Sequence, residues 1–205
     1  LQKSDAAHLK KLNKCIGGNV EVGFRKRSAR LIVNQPVGPS EACFIRFYST
    51  KMVNDLISHG CIERKSLTKK APVGVPENFM RDFIRGYFDG NGTVAHKYHR
   101  KVDKYYLAVC IETASDDFVE WLSNYLKEHG FSNVISKDTY AWKINLHAPD
   151  NWAFLDYIYK DADVYLDRKY QRYLSAVSDH SGIFGQRALK GKFGKDLTVN
   201  SEVSA

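Results

Sequence analysis

The sequence of 205 residues contains only five prolines, two methionines and four cysteines. It has no apolar run approaching the ~20 residues that a membrane-spanning helix requires. The N-terminus lacks the basic-then-apolar pattern of a secretory signal. These absences argue against a membrane or secreted protein and for an intracellular one, whether in a bacterial or phage cytoplasm or in an organelle. Cys15, Cys43, Cys61 and Cys110 are widely spaced with no C-x-x-C pair, which excludes a zinc ribbon or thioredoxin-like motif and predicts reduced core cysteines. Of the seven histidines only His96 and His99 lie close together, and no third ligand stands at supporting spacing. What is present is 43% hydrophobic and 13% aromatic content, enough for a core of one large or two smaller domains. Lys and Arg outnumber Asp and Glu by 31 to 23, giving a net charge of +8, which favours a polyanionic partner.

Residues 5–16 place Ala6, Leu9, Leu12 and Ile16 at helical spacing behind Asp5, with Gly17 and Gly18 as the stop. Val20 to Phe24, Arg30 to Val33 and Cys43 to Tyr48 are short and β-prone, and predict an antiparallel meander. Ser49 or Thr50 can cap a second helix that stops near His59-Gly60. A similar order returns roughly 100 residues later. Tyr105 to Ile111 reads as a strand, Ser115 to His129 as a helix, Val134 to Ser136 and Tyr140 to Leu146 as strands, and Pro149 opens another helix. The segment after Leu174 reads as a tail.

Between the halves, residues 76–92 predict a helix with two apolar rows, Phe79, Phe83, Tyr87 and Met80, Ile84, Phe88. Gly86 and Gly90, four apart, predict close packing against another helix along that edge. The chain begins at Leu1. If it is a tandem duplication, a helix like 76–92 is expected upstream, within roughly three or four dozen residues.

Ile84-Arg85-Gly86-Tyr87-Phe88-Asp89-Gly90-Asn91-Gly92 resembles the nine-residue motif of the LAGLIDADG homing endonucleases. Leu56 to Ser66 is similar to the family's helix-to-linker segment with its Lys-Ser pair, and Tyr165 to Tyr170 to its counterpart in the second half. The resemblance spans about residues 1–177. It implies an α+β fold of tandem pseudo-two-fold αββαββα repeats, whose antiparallel sheets form a saddle in the major groove of double-stranded DNA. The implied division is residues 1–66 for the first repeat without its motif helix, 67–75 for a linker, 76–177 for the second repeat and 178–205 for a C-terminal extension. It further implies a monomer with two pseudo-symmetric halves and no membrane partner. Arg25, Arg27 and Arg30, with Lys97, Arg100, Lys101 and Lys104, lie in or beside the strands that would line such a saddle.

In the family the eighth motif position carries a carboxylate that holds Mg²⁺ at the scissile phosphates; the expected metal donors of this chain are therefore Asn91 and the main chain of Gly90. Asn91 departs from the pattern, since an amide oxygen can bind Mg²⁺ without offsetting its charge. A changed residue, a natural asymmetry and a degenerate binding protein are all compatible with it. Asp89 is expected to cap or brace. Lys65 and Lys169, at matching places after each half's last helix, are implied to polarise water or stabilise the transition state. Glu112 and Thr113, and Gln2 and Lys3 in the first half, occupy strand ends beside the expected metal. The implied activity is site-specific DNA cleavage by the endonuclease of a mobile intron, intein or free-standing element. The alternative is a degenerate LAGLIDADG protein acting as an RNA maturase or DNA-binding regulator.

Overall fold

A computed structural model of the chain describes residues 1–32, 35–101 and 103–179. The fold is α+β, with six α-helices and antiparallel strands among these residues. Most of the C-terminal extension, from residue 180 on, lies outside the described residues.

The chain opens with a 3₁₀ turn at Lys3–Asp5 leading into α1 (Ala6–Cys15), which Gly17 ends at φ +68°. The expected three-strand meander is instead one long hairpin. Its outgoing arm is β1 (Gly23–Arg27) and β2 (Arg30–Ile32), and its returning arm is β3 (Gln35–Val37) and β4 (Ser40–Phe44). Arg27 faces Ser40 and Arg30 faces Val37, so one register runs through both ladders. The run Arg25-Lys26-Arg27, which reads as a break in an apolar pattern, is compatible with a strand here because Arg25 and Lys26 are exposed. Gln2 makes an antiparallel bridge to Ala42, and the Cys43 N–H donates to the Leu1 carbonyl at 3.1 Å. Helix α2 (Thr50–Ser58) follows, with the Ser49 hydroxyl accepting from the Met52 N–H at 3.2 Å. Gly60, at φ +83°, ends it.

Helix α3 (Glu77–Asn91) runs directly into β5 (Gly92–His99), which pairs with β6 (Lys104–Thr113). Then come α4 (Asp116–Glu128), β7 (Asn133–Lys137), β8 (Trp142–Leu146), α5 (Asp150–Tyr159) and α6 (Asp167–Asp179). The sheet order is β5-β6-β8-β7, antiparallel throughout. Strand β5 is hidden in sequence by its polar residues, and the supposed tail after Leu174 continues α6 to Asp179.

Alternation assigns the faces of this sheet. Val94, Leu107, Val109, Ile111, Ile144 and Leu146 point into a core with Ile84, Phe88, Phe118, Leu122 and Phe154, and all are buried. The Asn151 amide donates to the Leu107 carbonyl at 2.7 Å, tying α5 to β6. The first half is different. Helix α2 buries no residue, and Val53, Leu56 and Ile57 are exposed along its apolar side. All four cysteines are free thiols, but only Cys43 is buried and Cys15 is exposed, contrary to the expectation of four core cysteines.

The two halves grip each other reciprocally. Beyond α2, the Lys69 carbonyl accepts from the Ser115 hydroxyl at 2.5 Å, and the Lys69 ammonium lies 4.1 Å from the centre of the Tyr87 ring. Beyond α5, the Tyr165 carbonyl accepts from His8 Nδ1 at 3.0 Å, Asp167 pairs with Lys11 at 2.7 Å, and Arg168 reaches Asp5 at 3.1 Å. Ser115, the N-cap residue of α4, and Asp5, the N-cap residue of α1, are thus each contacted from the opposite half.

Candidate nucleic-acid interface and motif-helix site

Helix α3 is placed by its ends. At its N-terminus Glu77 Oε1 accepts from the Tyr125 hydroxyl at 2.6 Å, which ties it to α4. Met80, Ile84 and Phe88 are buried as one row, but the second row is graded: Phe83 and Tyr87 are half-buried and Phe79 is exposed. At the C-terminus the chain passes into β5 without a loop. A Cβ on Gly92 would collide with the Phe88 ring, so only glycine fits that junction. Gly92 faces Ile111 in the ladder, which sets Asn91 beside Glu112. The Tyr87 hydroxyl donates to the Glu112 carbonyl at 3.0 Å and locks the two elements together.

Gly86 and Gly90 are exposed, and a Cβ at either would meet nothing within 4 Å. Among the described residues no helix packs there, so the expected helix pair is represented by one open edge. Beside it is a cavity of about 350 Å³ lined by Cys61, Lys65, Lys69, Phe83, Gly86 and Tyr87, among others.

Asp89 and Asn91 diverge. The buried Asp89 carboxylate accepts from the Tyr159 hydroxyl at 2.8 Å and the Leu166 N–H at 2.9 Å. Burial pushes its pKa up, while those two hydrogen bonds and Lys169 pull the other way. Asp89 is a brace, as its position two residues before Asn91 suggests. Asn91 is exposed as the last residue of α3.

Lys169 is 3% exposed, and its ammonium donates to the carbonyls of Phe88 at 2.6 Å and Asp89 at 2.9 Å. It adds a cationic donor to two carbonyls of the helix's last turn, and the Phe88 carbonyl also accepts from the Gly92 N–H. Burial lowers its pKa to about 8, against the opposing pull of Asp89. Lys65 has a different partner, the Cys61 sulfur at 2.6 Å, and lines the cavity.

The sheet face opposite the core is uncovered by helices among the described residues. It carries Thr93, Ala95 and Lys97 of β5, Tyr106, Ala108, Cys110 and Glu112 of β6, Lys143 and Asn145 of β8, and Ser136 of β7. Of the expected DNA-binding residues, Lys97 is exposed on this face, while Arg100 and Lys101 are exposed in the β5–β6 turn. Lys104 opens β6 and Arg30 opens β2, both placed by backbone alone. Arg25 and Arg27 share one face of the hairpin. The sequence reading missed Lys143 and Asn145. Register brings Lys143 opposite Glu112, at 3.8 Å, and it also pairs with Asp138 at 2.7 Å, which raises its pKa. The alternation in Trp142-Lys-Ile-Asn-Leu146 was the signal that could have found them.

No group of three or more His, Cys, Asp or Glu side chains converges to hold a metal among the described residues. The available donors at the helix end are the Asn91 amide oxygen, the Gly90 carbonyl and the Glu112 carboxylate. These are oxygen ligands of the kind Mg²⁺ takes. They bring a single negative charge, on a glutamate already near Lys143, so by themselves they do not fit a complete Mg²⁺ site.

Residues 78–176 match the family model described as LAGLIDADG-like domain. This stretch is a LAGLIDADG domain. It takes in α3, the four-stranded sheet and nearly all of α6. Over a longer span the chain is similar to the solved structure of the meganuclease I-SmaMI bound to uncleavable DNA, with 14% identity, 93% of this chain and 82% of that chain covered, and a TM-score of 0.50. The archaeal intron-encoded homing endonuclease I-Vdi141I, complexed with DNA, matches at 17% identity over 56% of this chain and 65% of that one, with a TM-score of 0.29. No curated protein sequence matches the chain. The LAGLIDADG motif therefore coincides with α3 and its turn into β5. No helix among the described residues is long and apolar enough to cross a membrane.

Proposed function

We propose that this protein is a site-specific DNA endonuclease of the LAGLIDADG type, working at double-stranded DNA as the cleavage protein of a mobile element. The carrying observation is that the motif helix ends, at Asn91, beside the strands whose opposite face is left open. In this reading the open strands take the major groove, Lys97, Arg100 and Lys101 meet phosphates, and the polar side chains between them read base edges. Lys169 and Asp89 hold the helix end in place, and Lys65 faces the reacting strand from the cavity. The Gly86–Gly90 edge is where a second motif helix packs, making two pseudo-symmetric halves.

Hydrolysis adds water to phosphorus and breaks the bond to the 3′ oxygen, so negative charge grows on the phosphate and the leaving group. Mg²⁺ is the metal this reading calls for. Asn91, Gly90 and Glu112 supply too little charge to hold it alone, and no step of hydrolysis is assigned to this chain's donors by themselves. A carboxylate from the second motif helix completes the set. The uncharged Asn91 also supports a second reading, a LAGLIDADG scaffold that binds DNA or RNA without cutting.

Sequencing the ends left in a random duplex library by the full chain and by Asn91→Asp, with and without Mg²⁺, tests this. The nuclease reading expects one recurrent site of two helical turns, cut faster by Asn91→Asp. Binding without ends in either protein favours the non-cutting reading.

A further inference from the structure

On the hairpin of the first half, Gly23 faces Phe44, and a Cβ on Gly23 would come within 2.7 Å of the Phe44 ring. The aromatic ring therefore lies over the glycine, on the face shared by Arg25, whose guanidinium carbon is 6.0 Å from the ring centre. The Arg46 guanidinium approaches the same ring to 5.6 Å. Two arginines on one ring is an arrangement of cation–π contacts. Among the described residues neither arginine pairs with a carboxylate. In the second half, by contrast, Lys143 is engaged by both Asp138 and Glu112.

This face corresponds to the open face of the second sheet. Gln2 stands opposite Ala42 as Glu112 stands opposite Lys143, each three residues before the N-cap of the next helix, Asp5 or Ser115. Phe44 therefore occupies in the first half the place that Asn145 takes in the second. Asn145 spends its amide on Ser136, at 2.9 Å, and on main-chain carbonyls. Phe44 has no polar group to spend, and its ring serves two guanidiniums instead.

We propose that Phe44 is a positioning residue that orients Arg25 and Arg46 as two guanine-reading forks, so that the half-site under this hairpin is defined by two guanines. The inference rests on the duplex-DNA reading above. A guanidinium stacked on a ring keeps N–H groups for the N7 and O6 acceptors of guanine in the major groove. Arg46, whose Nη1 donates to the exposed Tyr48 hydroxyl at 3.4 Å, retains its other N–H groups for them. Stacking limits the rotamers that a long exposed side chain would otherwise sample, so less freedom is lost on binding. Lysine keeps the charge but not the planar fork. Gly23 is the permissive partner, since a side chain there would lift the ring from the strand.

The test is selection from a random duplex pool by the full chain and four variants, with each bound population sequenced. Phe44→Tyr keeps the ring and retains both guanine positions. Phe44→Leu flattens both together, by about tenfold or more at each, while overall duplex affinity changes much less. Arg25→Lys and Arg46→Lys each flatten one position. Circular dichroism of Phe44→Leu identifies a folding defect, in which case the two lysine variants decide. Wild-type selection of a defined motif that none of the variants alters overturns this inference alone. Failure of the wild type to select any duplex overturns the DNA reading and the inference with it.

Discussion

The Lys169 ammonium donates to the carbonyls of Phe88 and Asp89, two carbonyls of the last turn of α3, at 2.6 and 2.9 Å. A buried cation thus ends the motif helix from the side, while Gly92 carries the chain into β5. Lys169→Met leaves those carbonyls without this partner. It should cost about 1–3 kcal/mol, read as a lower denaturation midpoint.

The same lysine gives a pH signature. Folded Lys169 titrates near pH 8, against 10.5 for an ordinary lysine. Between those values the unfolded chain binds more protons than the folded one, so this group's contribution to stability rises with pH from about 8 to 10.5 and does not change with pH below that window. The full gain is about 3 kcal/mol at most. Chemical denaturation at pH 7.5 and pH 10 should show the wild type gaining on Lys169→Met. A constant difference between the two proteins counts against the buried-cation account.

The glycines of the motif should separate by function. Gly92→Ala drives a Cβ into the Phe88 ring and should lose about 1–3 kcal/mol of stability. Gly86→Ala and Gly90→Ala meet open space, and each should gain up to about 1 kcal/mol from helix propensity. If a second helix packs on this edge, the two alanines also lower cleavage. Thermal melts and a cleavage assay on the three variants check both halves of the prediction.

Asn91→Asp places a carboxylate at the C-terminal end of a helix, which should cost about 0.3–1 kcal/mol without metal. Mg²⁺ should then raise the melting temperature of the variant more than that of the wild type, since ligand binding to the folded state alone stabilises it. Equal shifts in the two proteins would remove position 91 from the metal site.

The legible part of this protein was its punctuation. Ser49 and Ser115 as caps, and Gly60 and Gly130 as helix ends, stand where the residue types place them because such positions depend on local backbone chemistry. Asp89 read as a brace from its offset relative to Asn91. Strand β5 and the outgoing arm of the hairpin were obscured because a sheet open on one face has polar residues at alternate positions and few apolar ones to count. Lys143 and Asn145 needed the register of β6 on β8 before they could be placed next to Glu112. The environment of Lys169 was also out of reach, because its partners lie some 80 residues away on another helix.

The central claim is that the open strands form a surface for duplex DNA, and the salt dependence of binding tests it most directly. The full chain should bind duplex DNA with an affinity that falls linearly in log–log form with salt, and replacing Lys97 by alanine should reduce the slope by about one. Structured RNA should compete poorly. A flat salt response, or tighter binding to structured RNA than to duplex DNA, would contradict the account.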